Sequence, residues 1–238
     1  MSILNPTSAI SCSLQSGVAA LLLAGVAVFG VACGGSGSNS EGSPETTAPA
    51  APSSLSGTSG DSQVGLDWSA VSEAETYTVY RSSSSSTDPS SNSPLMTNVS
   101  NTAYTDTEVT NGNDYYYAVT AVNSEDTESD PSSTIKKRPF AQASGLSGTS
   151  GDGQIELDWS DAAGAETYEV YRSSSSSTDP SSNSPLATGV SDPAYTDSGA
   201  QNGTTYYYVV TSVGADGSES DPSNEVSKTP FSEPGGRP

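Results

Sequence analysis

The side chains of this chain that could do chemistry are its carboxylates, its tyrosines and its two cysteines. Its 238 residues hold 28 Asp and Glu, 12 Tyr and 2 Cys, but no His. Without imidazole a Ser-His-Asp or Cys-His arrangement cannot be assembled, and the usual zinc ligand sets are missing. Lysine occurs only at positions 136, 137 and 228. Paired carboxylates are then the remaining catalytic option. Most of them fall in turns or on outward strand positions, where an exposed carboxyl keeps ordinary acidity. Two loops, Glu125–Asp130 and Asp216–Asp221, are acidic enough to offer oxygen ligands to calcium, but neither follows the calcium-loop pattern with a Glu in the twelfth place. They read as solvated acidic loops. The chain is expected to be non-catalytic, with no metal and no cofactor.

The tyrosines divide by parity. Alternation along 76–81 puts Tyr77 and Val79 on one face, with Thr78 and Tyr80 on the other. Along 115–122 it puts Tyr115, Tyr117, Val119 and Ala121 inward and Tyr116 outward. Tyr80, Tyr116 and their later counterparts Tyr171 and Tyr207 are thus expected on a solvent-facing sheet surface. Each pair should meet there across neighbouring strands, a contact that contributes about 0.2–1 kcal/mol. Such a pair either shields the middle of a sheet or stacks on a sugar ring or a docking partner. These four residues form the candidate binding face, for a protein or a glycan ligand.

The elements that must position them are written twice. Trp68 recurs as Trp159, Tyr77 as Tyr168 and Pro139-Phe140 as Pro230-Phe231, each time 91 residues later. The run Val79–Leu95 returns unchanged as Val170–Leu186. A unit of about ninety residues can bury its own core. Gln63–Trp68 and Gln154–Trp159 alternate apolar and polar residues, and Asn111-Gly112, Asp130-Pro131 and their counterparts supply turns. Short alternating strands with a turn every 8–12 residues or so predict β-sandwiches. No helical spacing occurs outside the leader.

The expected fold is all-β: two tandem immunoglobulin-like, seven-stranded β-sandwiches after a signal segment and a disordered linker. The boundaries read as 1–32 signal, 33–50 Gly/Ser/Pro-rich tether, 51–139 and 140–231 sandwiches, and 232–238 tail. Ser82–Pro94 and Ser173–Pro185 read as flexible serine-rich loops. Lys136-Lys137-Arg138 either holds the joint electrostatically or is a solvated strand end. Phe140 is placed to pack at that joint, which leaves Phe231 without an equivalent partner.

Taken in order, these residues resemble the fibronectin type III family. The family's core tryptophan of the second strand is matched by Trp68 and Trp159. Its Tyr-x-Val of the third strand is matched by Tyr77-Thr78-Val79 and Tyr168-Glu169-Val170. The tyrosine corner, hydrophobic-x-x-Gly-x-x-Tyr, appears at Val109–Tyr115 and Ala200–Tyr206. The family's Val-x-Ala-Val continuation is Val119-Thr120-Ala121-Val122, with Val210-Thr211-Ser212-Val213 as its counterpart. The resemblance implies a sandwich that works by spacing, adhesion or binding. No Arg-Gly-Asp tripeptide is present, so integrin-type adhesion is not implied.

Residues 1–32 carry no charged side chain, and Val18–Ala32 is continuously apolar or small. Fifteen residues make a helix of about 22 Å, short of a hydrocarbon core of about 30 Å. That length suits a secretion signal. The junction Val31-Ala32-Cys33 resembles the lipobox of bacterial lipoproteins, which implies lipidation of Cys33, a membrane anchor and a location on the bacterial cell envelope, outside the cytoplasm. Plain secretion and an uncleaved anchor are the alternatives. Once such a leader is removed Cys33 is the sole thiol, so no internal disulfide can form.

The net charge is −21. It falls on both halves, −8 over 51–140 and −11 over 141–231, and excludes nucleic acid as a partner, because phosphate neutralisation needs Lys and Arg. Such acidity resembles that of proteins from halophilic microbes, where salt screens self-repulsion. The expected role is a surface-tethered spacer, adhesion or protein-binding module. The alternative is a carbohydrate-binding accessory of a polysaccharide-processing system.

Overall fold

A computed structural model describes residues 47–85 and 92–232. The expected signal segment, Cys33 and most of the tether lie outside the described residues.

Fourteen strands form two successive sandwiches. In the first, β1 (Ser56–Gly60), β2 (Gln63–Asp67) and β5 (Ala103–Asp106) make a three-stranded antiparallel sheet in the order β1-β2-β5. Its partner is a four-stranded sheet in the order β4-β3-β6-β7, from β3 (Thr76–Ser82), β4 (Met96–Val99), β6 (Tyr115–Val122) and β7 (Ile135–Lys137). The second sandwich repeats the plan. Strands β8 (Ser144–Ser150), β9 (Ile155–Ser160) and β12 (Ala194–Asp197) make one sheet. Strands β11 (Ala187–Val190), β10 (Thr167–Ser173), β13 (Tyr206–Val213) and β14 (Val226–Lys228) make the other. Among the described residues the one helical element is a 3₁₀ turn, Pro180–Ser182.

Strand β9 alternates buried and exposed without a break: Ile155, Leu157 and Trp159 inward, Glu156, Asp158 and Ser160 outward. This is the period-two pattern of a half-buried sheet. Each sandwich closes its own core. One gathers Val64, Leu66, Trp68, Tyr77, Val79, Tyr117 and Val119. The other gathers Ile155, Leu157, Trp159, Tyr168, Val170, Tyr208 and Val210. In both, the tryptophan meets the first tyrosine of the third strand edge-on, Trp68–Tyr77 at 5.4 Å and Trp159–Tyr168 at 5.3 Å between ring centroids, an arrangement the ring quadrupoles favour.

The tyrosine corner that the resemblance implies is formed in both sandwiches. The Tyr115 hydroxyl accepts from Thr110 N–H at 3.0 Å, and the Tyr206 hydroxyl from Gln201 N–H at 3.4 Å. Gly112 and Gly203 each sit at φ +82°, a left-handed conformation that side chains with a Cβ resist. Their N–H groups donate to Pro139 and Pro230 carbonyls at 2.8 Å.

The two sandwiches meet directly. Phe140 has no solvent exposure and its ring lies over Gly214. A Cβ added to Gly214 would come 2.6 Å from Phe140 Cδ1, and closer to Cε1. The chain that leaves the joint is held by the second sandwich itself: Ala141 N–H donates to Ala163 O at 2.8 Å, and Gln142 Nε2 to Pro222 O at 2.5 Å. Phe231, one repeat later, is 53% exposed.

Candidate functional site

The four tyrosines of the expected binding face are split by the tertiary structure. Strands β3 and β6 pair with Tyr80 opposite Ala118 and Tyr116 opposite Ser82. In the second sandwich Tyr171 faces Val209 and Tyr207 faces Ser173. The members of each pair are therefore offset by two residues and do not sit directly across from each other. Tyr80 is 7% exposed and Tyr171 3%, whereas Tyr116 and Tyr207 remain half-buried. Solvent exposure was the expectation for all four, and for Tyr80 and Tyr171 it is overturned.

The physical reason is an acidic loop that folds back over the sheet. Val122 bridges to Glu128, and Val213 to Glu219. The Tyr80 hydroxyl then donates to Glu128 at 2.7 Å, and Thr120 donates to the same carboxylate. The Tyr171 hydroxyl lies 2.7 Å from Glu219 and 2.8 Å from Glu169, which share its one proton, and Thr211 donates to Glu219 at 2.5 Å. Burial, then the carboxylate beside it, pushes the Tyr80 hydroxyl up to about 12. Burial followed by two carboxylates pushes Tyr171 up further. Both phenols stay neutral and serve as donors at ordinary pH.

A second polar centre was not foreseen from sequence. Asp106 has no solvent exposure and Asp197 only 2%, against the expectation that the carboxylates lie outward. Asp106, on β5, accepts from Arg81 Nη1 at 2.9 and 2.8 Å, from Tyr117 at 2.8 Å and from Glu108 N–H at 3.0 Å. Asp197 accepts from Arg172 at 2.8 Å, Tyr208 at 2.7 Å and Gly199 N–H at 3.0 Å. The arginines also cover aromatic rings: Arg81 lies 5.6 Å from the Tyr115 centroid and Arg172 4.8 Å from that of Tyr206. Burial, then the hydrogen bond to the aspartate, moves the Tyr117 and Tyr208 hydroxyls far up. A buried carboxylate with this many donors is satisfied, so its chemistry is structural. The signal in the sequence was the unchanged recurrence of Ala103-Tyr104-Thr105-Asp106 as Ala194-Tyr195-Thr196-Asp197, beside Arg81 and Arg172 in an otherwise arginine-poor chain.

The joint gathers a third set. Of the basic cluster, Lys136 and Arg138 both pair with Asp114 of their own sandwich at 2.8 Å. Lys137 crosses the joint to Asp216 at 2.9 Å, and Ser59 N–H donates to the same oxygen at 3.2 Å. Burial raises the Asp216 carboxyl, but the Ser218 hydroxyl, Lys137, and the Ser218 and Ser59 N–H groups outweigh it and hold the group far below the ordinary range. A cleft of about 220 Å³ lies here, lined by Ser59, Asp114, Lys137, Glu166 and Asp216 among others.

The acidic loops thus spend carboxylates on internal donors: Glu128 and Glu219 on hydroxyls, Asp216 on a lysine. Among the described residues no cluster of carboxylates has the geometry to hold a metal ion. The second serine-rich loop is more ordered than its composition implies. Thr178 is 7% exposed, and its N–H donates to Glu225 at 2.7 Å. Asp179 caps the 3₁₀ turn through Ser181 N–H at 2.9 Å. Positions 86–91 of the first loop lie outside the described residues.

No family model matches the chain. A stretch of 93 residues is 41% identical to part of an amylopullulanase from Thermoanaerobacter thermohydrosulfuricus, covering 39% of this chain and 6% of that protein. An amylopullulanase from Thermoanaerobacterium saccharolyticum is 40% identical over 88 residues, 37% of this chain and 7% of the relative. The chain therefore spans under a tenth of the curated relatives it matches, and each matched stretch is close to one sandwich in length. Among solved structures, an Fn3-like protein from Clostridium thermocellum is 34% identical over 92% of its own chain and 38% of this one, with a TM-score of 0.34. With a tryptophan beside the second strand, a Tyr-x-Val third strand and a closed tyrosine corner in each unit, the chain has an all-β, immunoglobulin-like sandwich fold.

Proposed function

We propose that this protein is a non-catalytic spacer on the bacterial cell envelope. A lipid on Cys33 anchors it, and the two sandwiches hold a partner away from the membrane. The observation that carries the reading is the joint. A fully buried phenylalanine against a glycine, and an aspartate that takes both a lysine and a backbone N–H from across the joint, support a stiff connection. Interfaces within a chain that lack such anchors move by default. Distance measurements between labels on β4 and β11 test it: one narrow distribution supports the spacer, and a broad one sinks it. Mass spectrometry of the mature amino terminus tests the anchor, with an acylated Cys33 as the supporting result. The acidity fits saline surroundings, so the melting temperature should climb with added KCl.

A second reading has one observation in its favour, the amylopullulanase relatives. In it the sandwiches are an accessory that binds carbohydrate beside a polysaccharide-processing enzyme. Tyr116 and Tyr207 remain the candidate contacts, since Tyr80 and Tyr171 are covered. A glycan array probed with residues 47–232 separates the readings. A specific hit lost on Tyr116→Ala with Tyr207→Ala favours the accessory, whereas a blank array favours the spacer.

A further inference from the structure

The two sandwiches end in the same way, yet among the described residues only one of those ends is occupied. Phe140 N–H donates to Gly60 O at 3.2 Å, and Phe231 N–H to Gly151 O at 3.1 Å. Gly112 and Gly203 make the same bond to Pro139 and Pro230. The backbone of each phenylalanine is therefore held in the same way by its own sandwich, with Lys137 and Lys228 at matching places in the last strands β7 and β14. Phe140 is completely buried by the neighbour it meets. Phe231, with the same backbone bond, is 53% exposed and is the most exposed large apolar side chain among the described residues. Lys137 has its carboxylate in Asp216; Lys228 has no ion pair among the described residues.

We propose that the Phe231 end of the second sandwich is a docking surface for a further fibronectin-like sandwich. The occupied joint defines the chemistry of that partner. Its receiving turn carries glycine at the place of Gly214, because the phenylalanine ring lies where a Cβ would stand. Two residues on it carries aspartate at the place of Asp216, which takes the lysine and the N–H of the strand-end serine, Ser150 here and Ser59 in the occupied joint. A Gly-x-Asp turn is thus the partner's signature.

The same geometry excludes a second copy of this chain. One repeat before Gly214 stands Asn123, and one repeat before Asp216 stands Glu125. The first sandwich therefore meets the ring of Phe231 with a side chain where space is required. The second sandwich has the right turn, but Phe140 already fills it. Asn123 blocks head-to-tail growth of identical chains, an open-ended assembly that a self-complementary end would otherwise permit. The inference stands whether the chain is a spacer or a glycan-binding accessory, because it concerns one end of one sandwich.

The test extends the full chain by joining a second copy of residues 141–232 directly after Phe231. Hydroxyl-radical footprinting then reads the accessibility of Phe231 itself. In the extended chain its labelling rate should fall to that of Phe140. When the added copy carries Asn at its counterpart of Gly214, the residue that the first sandwich tolerates there, labelling should return to the rate of the unextended chain. The unextended chain should label equally at low and high protein concentration. Equal labelling of Phe231 in both extended proteins would overturn the proposal. So would protection that grows with concentration of the unextended chain, since the occupant would then be a second copy. Melting curves of both extended proteins confirm that the added sandwich is folded.

Discussion

Arg81 on β3 and Asp106 on β5 join the two sheets of the first sandwich through one guanidinium nitrogen that reaches both carboxylate oxygens, at 2.9 and 2.8 Å. Tyr117 completes the set from β6, the neighbour of β3. The same bridge, Arg172 to Asp197, recurs one repeat later. Because these aspartates are buried and their arginines mostly so, the bridges tie the sheets where solvent cannot replace the partners.

Breaking one of these bridges should cost far more than breaking a surface pair. Asp106→Ala leaves Arg81, the Tyr117 hydroxyl and the Glu108 N–H without their acceptor. A loss of about 3–5 kcal/mol is expected, the scale for removing one partner of a buried ion pair. Asp197→Ala should cost a similar amount in the second sandwich. Urea titrations followed by tryptophan fluorescence check both, since each core holds one tryptophan.

Alkaline pH should act through the covered tyrosines. An ordinary tyrosine ionises near about 10, and Tyr80 is held up to about 12 in the folded chain. The folded state favours the neutral phenol, so its contribution is complete below about pH 10 and is lost as pH rises from there through the folded value. Tyr171, Tyr117 and Tyr208 move in the same direction. Ultraviolet titration should show these phenolates arriving only with unfolding. Tyr80→Phe should flatten the decline in stability between pH 10 and 12 or so.

Acid should act at the joint. The Asp216 carboxyl is held far below an ordinary aspartate, which titrates near about 3.9. A depressed folded value means that its contribution is present above the ordinary one and disappears as pH falls through the folded one. The distance between the sandwiches should stay narrowly distributed from neutral pH to about 4 and broaden below. Asp216→Asn should remove that acid dependence. Lys137→Met should broaden the distribution already at neutral pH.

The two phenylalanines should differ sharply although their sequence contexts match. Phe140→Ala empties a fully buried site and should cost about 3–5 kcal/mol of stability in the linked pair. Phe231→Ala removes an exposed ring and should stay within about 0.5 kcal/mol in the unextended chain. Differential scanning calorimetry of the two variants side by side makes the comparison.

Much of this architecture was legible in the residues. The period of two along Gln63–Trp68 and Gln154–Trp159 determines which side chains turn inward, because successive strand residues alternate faces. The 91-residue repeat determines that the two sandwiches share strand order and core, because the residues that set both recur. The tyrosine corner is implied by the fibronectin type III resemblance, at Val109–Tyr115 and Ala200–Tyr206. Even the burial of Phe140 follows from its place between two units.

Parity says which face a tyrosine occupies, but not what later folds across that face. Tyr80 and Glu128 lie 48 residues apart in sequence, and Arg81 and Asp106 lie 25 apart on different sheets. No local pattern carries such pairings, because hydrogen bonds between distant residues depend on where the loops return. The covered tyrosines, the buried aspartates and the Gly214 hollow that receives Phe140 were settled only when the sheets stacked and the loops closed over them.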